Sequence, residues 1–237
     1  MRTKTNEVTR LLRLNKQTIV DRIIPKNQLY TLLSVTNEKK LVRTQLEKLH
    51  WLASFKPSKI KVPATDDISE IEVFFAEVYD LNQAKKIFKI IGKIIPYPLV
   101  ILFTDSEKYL LMGANYSSKK SGFLTVDKLI SSPVYSEEKV KEIVSEIDWN
   151  SFMAINLGTY YKGILNFISL TNFSKEGMSL DNVRNPEKVL TLKQEIKGLE
   201  NRAKQENQLK LKIDILKQVA QKKMDLEKLL KGGTTNE

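Results

Sequence analysis

The clearest pattern of apolar and polar positions lies between residues 70 and 115. Residues 71–79 are mainly β-branched or aromatic, which predicts a buried strand. Residues 81–95 then repeat apolar side chains every three or four positions with lysines between them, which predicts an amphipathic helix that a proline ends. Leu99–Phe103 is continuously apolar and leads through a polar turn into a second apolar run, as in a buried hairpin. The stretch therefore predicts a β-α-β-β unit.

Further elements are predicted on both sides of this unit. Residues 36–52 begin with a capping signal and carry apolar side chains at helical spacing, so we expect one helix there. Lys59–Val62 alternates lysine with apolar residues and predicts a short strand. Ser136 opens another predicted helix, and residues 153–167 are apolar almost all round, as in a buried helix.

The last segment of the chain has a different composition, without proline or aromatic residues from 187 to 231. Its apolar positions follow a four-three-four spacing twice, which is typical of a coiled-coil seam; they are Leu192, Ile196, Leu199 and Ala203, then Leu209, Ile213, Leu216 and Ala220. We favour a single helix of about 65 Å, docked on a partner or on a second copy of the chain. The alternatives are a helical hairpin that turns at residues 206–208, and a helix folded back on the domain's own sheet.

Together these elements predict an α/β (α+β) protein. We expect a small mixed sheet with the β-α-β-β core, flanking helices and a long, coiled-coil-like C-terminal helix. The predicted division is a basic helical N-terminal region at residues 1–62, an α/β core domain at 63–185, the long helix at 186–231 and a disordered tail at 232–237.

Positive charge is concentrated at the start of the chain. Residues 1–62 hold 14 Lys/Arg against 4 Asp/Glu, within a net charge of +11. Such a local excess predicts contact with a polyanion, most often nucleic acid, through its phosphates and with little sequence readout. The predicted phosphate-binding residues are Arg10, Arg13, Lys16, Arg22, Lys26, Lys39, Lys40 and Arg43.

Few catalytic sites can be built from these residues. The chain has no cysteine and a single histidine, His50, which we expect to be a packed surface residue. The one chemical candidate is the acidic group around the first core strand, in which Asp67 and Glu77 would hold a divalent ion such as Mg²⁺ in a metal-dependent nuclease. That class places a Glu-x-Lys on a strand, and here Tyr79 occupies the position of the lysine.

The chain resembles an uncharacterised prokaryotic family, the domain of unknown function 4391 family. The resemblance rests on four pieces that follow one another along almost the whole chain: Ile24-Pro25-Lys26 with Tyr30, Glu70-Ile71-Glu72-Val73-Phe74, Ile95-Pro96-Tyr97-Pro98, and the Lys-, Gln- and Asn-rich tail. The family has no assigned activity. The resemblance implies a companion of helicases, DNA methyltransferases and nucleases in prokaryotic defence loci.

Our first hypothesis is a non-enzymatic accessory subunit of a nucleic-acid-targeting defence complex, without a cofactor and located in the cytoplasm. It would bind DNA or RNA phosphates through the basic N-terminal face. It would hold a helicase, methyltransferase or nuclease partner, or a second copy, through Leu192, Ile196, Leu199, Ile213 and Leu216. The alternatives are the metal-dependent nuclease and a module that binds only protein. No membrane contact is expected, because the longest apolar run is about half the length of a spanning helix.

Overall fold

The computed structural model describes residue 10 and residues 12–118, 124–149, 152, 154–171, 186–206 and 208–230. The chain divides into two compact units, Met1–Asn172 and Phe173–Glu237.

The first unit is built on one mixed sheet. The strands in its described part are β1 (Ile19–Ile24), β2 (Leu46–Phe55), β3 (Ile71–Val78), β4 (Leu99–Thr104), β5 (Lys108–Ser118), β6 (Leu124–Ser131) and β7 (Tyr135–Ser136). Strands β1 to β6 lie side by side in sequence order, and β7 pairs with β5. Strands β3 and β4 are parallel, and the other pairs are antiparallel.

Helices connect and cover these strands. In the described part of the first unit they are α1 (Lys26–Leu32), α2 (Thr36–Gln45), α3 (Pro57–Ile60), α4 (Ala84–Ile94), α5 (Glu137–Ser145) and α6 (Leu157–Leu170), and a 3₁₀ turn at Leu81–Gln83 precedes α4. The order β3, α4, β4, β5 confirms the predicted β-α-β-β unit, since a parallel pair needs a crossover and an antiparallel pair needs only a hairpin.

The sheet separates two hydrophobic cores. On the side that we call the α6 face, Phe75 and Leu102 pack with Ile164 of α6. On the opposite side, the α4 face, Phe74 and Ile101 pack with Ile87 of α4 and with residues of α1 and α2. Because β3 and β4 are buried on both faces, they read as continuous apolar runs in the sequence.

Two predictions for the N-terminal region are wrong. The helix expected over residues 36–52 ends at Gln45, and Leu46–Phe55 is an interior strand between β1 and β3. The strand expected at Lys59–Val62 is instead the short helix α3 with Lys61 in the left-handed region. The N-terminal region is therefore not simply helical, because β2 pairs with the core strand β3 and β1 pairs with β2. Pairing with neighbouring strands overrides a helical spacing that the local sequence permits.

The second unit contains the helices α7 (Pro186–Gln205) and α8 (Leu209–Leu230). Two ion pairs join them: Lys222 Nζ lies 2.6 Å from Glu195 Oε2, and Lys223 Nζ lies 2.7 Å from Glu200 Oε1. A single helix cannot bring residues 23 or more positions apart into contact, so the favoured continuous helix is wrong and the tail is a helical hairpin. The mixed α/β class and a long C-terminal helix, α8, are confirmed.

No helix in the described part of the chain combines the length and the apolar character that crossing a membrane requires.

Candidate functional site

The predicted phosphate-binding residues lie on both faces of the sheet. Arg10, Arg13 and Lys16 flank Leu12 and Leu14, which are buried in the core of the α6 face. The indole nitrogen of Trp149 donates a hydrogen bond to Leu12 O at 2.6 Å and anchors this segment. The three cationic side chains around these anchors are exposed.

The cations of α2 lie on the other face. Val42 of α2 is fully buried in the core of the α4 face, whereas Lys39, Lys40 and Arg43 are exposed on the outside of the same helix. This arrangement follows from the helical repeat of 3.6 residues per turn, which directs Lys40 and Arg43, two positions before and one position after Val42, away from the buried side. Lys26 starts α1 beside this helix, and Arg22 is exposed on the edge strand β1.

Helix α4 extends this basic surface with residues that the sequence analysis did not assign to a site. Lys85, Lys86 and Lys89 are exposed on α4, whose apolar side is buried under the sheet. Lys93, one turn further on, forms an ion pair with Glu38 of α2 at 2.5 Å and so places the two helices side by side. The sequence does indicate these residues, because the polar side of the helix consists of lysines. The helix lies outside residues 1–62, however, where the excess of positive charge is largest.

We call helices α1, α2 and α4 the basic helical layer. Its segments contain eight Lys/Arg residues and a single acidic residue, Glu38, whose charge Lys93 neutralises. Within the described residues the other layer cations form no ion pair: Lys26, Lys39, Lys40, Arg43, Lys85, Lys86 and Lys89. By contrast, Lys48 and Lys56 of the sheet region lie 3.4 Å from Glu77 and Glu70. The layer therefore presents cations that remain available to an external anion.

The acidic residues at the start of β3 form a carboxyl pair in which Glu72 is buried and Glu70 is half-buried. Glu72 is 2% exposed, and its Oε2 accepts a hydrogen bond from Trp51 Nε1 at 2.5 Å. Glu70, next to it, accepts a hydrogen bond from the Ser54 hydroxyl and lies near the Lys56 ammonium.

The pKa values of the two carboxyl groups are shifted in opposite directions. Burial, followed by the nearby charge of Glu70, raises the pKa of Glu72 to about 8. Hydrogen bonds from Ser54 and Glu72 and the charge of Lys56 outweigh burial and lower the pKa of Glu70. At neutral pH the pair therefore holds a single proton, on Glu72. The two carboxyl groups contact each other and side chains of β2, so the pair links β3 to β2.

The candidate nuclease residues do not come together. Asp67 is exposed in the loop before β3, and Glu77 lies near the far end of that strand, about 20 Å beyond Ile71 at 3.3 Å per residue. Carboxylates bind one divalent ion at roughly 2–2.6 Å, so these two cannot share it. Among the described residues no group of three or more His, Cys, Asp or Glu side chains is placed to hold a metal ion.

His50 is a buried sheet residue and not the surface residue that we expected. It is 6% exposed on β2, and its Nε2 lies 2.8 Å from Asp21 Oδ1. Asp21 adopts a positive φ of 52° at an irregularity in β1, which turns its carboxylate toward the histidine. Burial lowers the pKa of His50 and outweighs the opposing effect of Asp21.

The predicted partner-binding residues of the tail divide between the two sides of the hairpin. Ile196 is buried, and Leu192 and Leu199 are half-buried on α7. On α8, however, Ile213 and Leu216 are exposed, and Ile215 and Val219 are buried in their place. The buried positions of α8 are therefore out of phase with the apolar spacing found in α7, which does not carry over into α8.

Comparison with known families gives one match. The sequence model of a family described as a domain of unknown function (DUF4391) matches residues 12–226. No curated protein and no solved structure matches the chain.

Proposed function

We propose that this chain, which belongs to the domain of unknown function 4391 family, is a non-enzymatic subunit that binds nucleic-acid phosphates through the basic helical layer. The observation that supports the proposal is the set of cations on the adjacent helices α2 and α4 that form no ion pair with any residue the structure describes. No carboxylate among the described residues lies within ion-pair distance of these cations, so an external polyanion can contact them.

The geometry of the layer favours an extended polyanion. On α4, Lys86, Lys89 and Lys93 succeed one another at three- and four-residue spacing and form a stripe about 10 Å long. Glu38 of α2 forms an ion pair with Lys93 at the end of that stripe. Lys39 and Lys40 come directly after Glu38 in the chain and so start near the same end of the stripe. Lysine ammonium groups on flexible stems bind phosphates as point charges and do not read base edges, so we expect binding with little sequence preference.

The test is the salt dependence of binding to a fluorescent duplex, measured by anisotropy between about 50 and 200 mM salt for DNA and for RNA. Each phosphate contact contributes roughly 0.9 to the slope of log K against log salt. The triple variant Lys39→Gln, Lys40→Gln, Arg43→Gln is expected to reduce that slope by about 1 to 3. A second variant, Lys85→Gln, Lys86→Gln, Lys89→Gln, is expected to act in the same direction.

The chain offers a control with the same change of charge. Arg10→Gln, Arg13→Gln, Lys16→Gln removes three cations from the α6 face and is expected to change the duplex slope much less. A loss of slope in this control as large as that in the two layer variants would mean that net charge alone drives binding and would overturn the assignment to the layer. A wild-type protein that does not bind either duplex at 50 mM salt would refute the function itself and favour a module that binds only protein.

A further inference from the structure

Tyr79 is the one exposed aromatic residue in the part of the chain that the structure describes. It is 61% exposed and follows directly after β3, whose own aromatic residues, Phe74 and Phe75, are only 2% exposed. Aromatic rings have a large apolar surface, which the other described rings of this fold bury fully or in part. At Tyr79 most of that surface is open to a ligand.

The backbone on both sides of Tyr79 is held by hydrogen bonds. The N–H of Tyr79 donates to the carbonyl oxygen of Gln45, the last residue of α2, at 3.0 Å. The next residue, Asp80, caps the 3₁₀ turn that leads into α4: its Oδ1 accepts from the Asn82 N–H at 2.9 Å, and its Oδ2 from the Gln83 amide at 3.3 Å. Tyr79 therefore has a defined position where α2 ends and α4 approaches its start, at one end of the basic helical layer.

Cations of the layer lie near this position on both helices. Arg43 is in the last turn of α2, and Lys85 and Lys86 are in the first turn of α4; all three are exposed. Hydrogen bonds within the 3₁₀ turn and, to a smaller extent, the charge of Lys86 lower the pKa of Asp80, so this ammonium group lies close to the residue that follows Tyr79. The lysine stripe of α4 thus ends beside an open aromatic ring.

The carboxylates next to Tyr79 in the chain favour an uncharged group at the ring. Glu77 lies 3.4 Å from Lys48 Nζ, and the carboxylate of Asp80 is held by the 3₁₀ turn. Two acids so close in the chain disfavour a phosphate at Tyr79 itself, whereas a nucleobase carries no charge and stacks through its face. We therefore expect phosphates at the cations and a base at the ring.

The combination of a cationic row and an open aromatic ring distinguishes single strands from duplexes. A duplex presents its phosphates, but the faces of its bases are stacked on one another. A single strand presents both phosphates and base faces, and proteins that bind single strands use cations for the former and aromatic side chains for the latter.

We propose that Tyr79 stacks on an unpaired base of the nucleic acid whose phosphates the basic helical layer binds, so that the layer prefers a single strand to a duplex. This inference rests on the proposed function and adds the class of nucleic acid. Stacking releases no counterions, so the ring adds affinity without adding to the salt dependence. Because every base has a face that can stack, the preference for sequence stays weak.

Anisotropy titrations of the full chain test the proposal with three fluorescent probes of equal length: a single strand of mixed sequence, its duplex, and a strand of abasic nucleotides. About 20 nucleotides exceed the usual site size. Tyr79→Ala is expected to weaken binding of the single strand about 5- to 100-fold, with an unchanged slope of log K against log salt. The duplex and the abasic strand should bind more weakly than the single strand and be unaffected by the substitution, because neither presents a free base.

Two further variants separate stacking from other effects. Tyr79→Phe keeps the ring and is expected to stay within about twofold of the wild type, whereas Tyr79→Leu keeps apolar bulk without a ring and should lose as much affinity as Tyr79→Ala. The matched control is Leu32→Ala, which removes a side chain that is 66% exposed on α1 of the same layer and is expected to leave binding unchanged.

Full single-strand affinity in Tyr79→Ala would overturn the inference, and so would an equal loss on all three probes or in the control. If the cation variants of the layer still reduce the salt slope in that case, the proposed function stands and only the role of Tyr79 fails. A wild-type protein that binds none of the three probes would overturn both proposals.

Discussion

The hydroxyl of Tyr161 lies within hydrogen-bond distance of both backbone groups of Ala114, at 3.1 Å from the nitrogen and 3.0 Å from the oxygen. It is also 2.9 Å from Leu99 O. Strands β4 and β5 pair as far as Ile101 and Met112, so this side chain from α6 continues the ladder where direct pairing ends. The hydroxyl thus satisfies backbone groups that have no access to water.

Removing this hydroxyl tests that role. Tyr161→Phe is expected to lower the free energy of unfolding by about 1–3 kcal/mol, because it leaves buried backbone groups without a partner. Denaturant unfolding at pH 7 measures the change. Tyr97→Phe, in the half-buried loop before β4, serves as the control and is expected to stay within about 0.5 kcal/mol of the wild type. If the two variants lose the same stability, the bridging role of Tyr161 is refuted.

The close approach of α6 to β5 also fixes the residue beside Ala114. A Cβ atom added to Gly113 would lie 2.5 Å from Leu165 Cδ2 and 3.4 Å from the Tyr161 hydroxyl. Gly113→Ala is therefore expected to destabilise the protein by about 1–3 kcal/mol through overpacking. Combining it with Leu165→Ala removes the clash, so the double variant should lose less than the two single variants added together.

Gly198 offers the opposite case within the same chain. It lies in α7, and a Cβ there meets nothing within 4 Å. Gly198→Ala is expected to be neutral or to stabilise its helix by about 0.5–1 kcal/mol, because alanine loses less backbone entropy than glycine. Thermal unfolding followed by circular dichroism compares the two alanine variants, and a loss at Gly198 as large as that at Gly113 would contradict the packing argument.

The sequence allowed the prediction of those elements whose burial produces a recognisable pattern of apolar residues within one short segment. Strands β3 and β4 are buried on both faces, so Phe74, Phe75 and Leu102 fall within continuous apolar runs that few other structures explain. Strand β2 was missed because Leu46, Leu49 and Leu52 are spaced as in a helix. Its conformation depends on pairing with β1 and β3, which no local window contains.

The candidate site shows the same limit. The charge excess of residues 1–62 was visible in the sequence, but the division of these cations between two faces was not. It depends on the packing of Leu12 in the core of the α6 face and of Val42 in the core of the α4 face. Lys89 belongs to the basic helical layer because α2 and α4 pack on one core, with Glu38 and Lys93 in contact across 55 positions of the chain. Such long-range placement has no counterpart in composition or spacing.

Glu72 predicts an unusual pH dependence of stability. In the folded protein this carboxyl stays protonated up to its pKa of about 8, whereas in the unfolded chain it ionises near 4.5. Between these pH values the folded state binds one proton more than the unfolded state, so the contribution of Glu72 to stability is fully present below 4.5 and declines as the pH rises to 8. The lowered pKa of Glu70 acts in the opposite direction, and its effect is lost at acid pH, below this window.

The variant Glu72→Gln isolates this effect, because an amide resembles the protonated carboxyl and can still accept from Trp51. Its free energy of unfolding is expected to exceed that of the wild type by roughly 1–3 kcal/mol at pH 8, and the difference should shrink toward pH 5. Urea unfolding at pH 5, 6.5 and 8 measures it. Glu107→Gln, at an exposed turn, is the control, and parallel pH profiles for the wild type and Glu72→Gln would contradict the assignment of the proton.

The tail hairpin is open to a direct distance measurement, because the chain contains no cysteine that would compete with introduced labels. Spin labels at Glu195→Cys and Lys222→Cys are expected to give a distance below about 20 Å, since the two native side chains form an ion pair. One continuous helix would separate these positions by about 40 Å at 1.5 Å per residue. Labels at Glu195→Cys and Lys204→Cys lie within α7 and give about 14 Å in either arrangement, which calibrates the measurement. Dilution with unlabelled protein decides whether a short distance arises within one chain. A short distance that disappears on dilution would show that two copies meet through their tails, and a distance near 40 Å would restore the continuous helix.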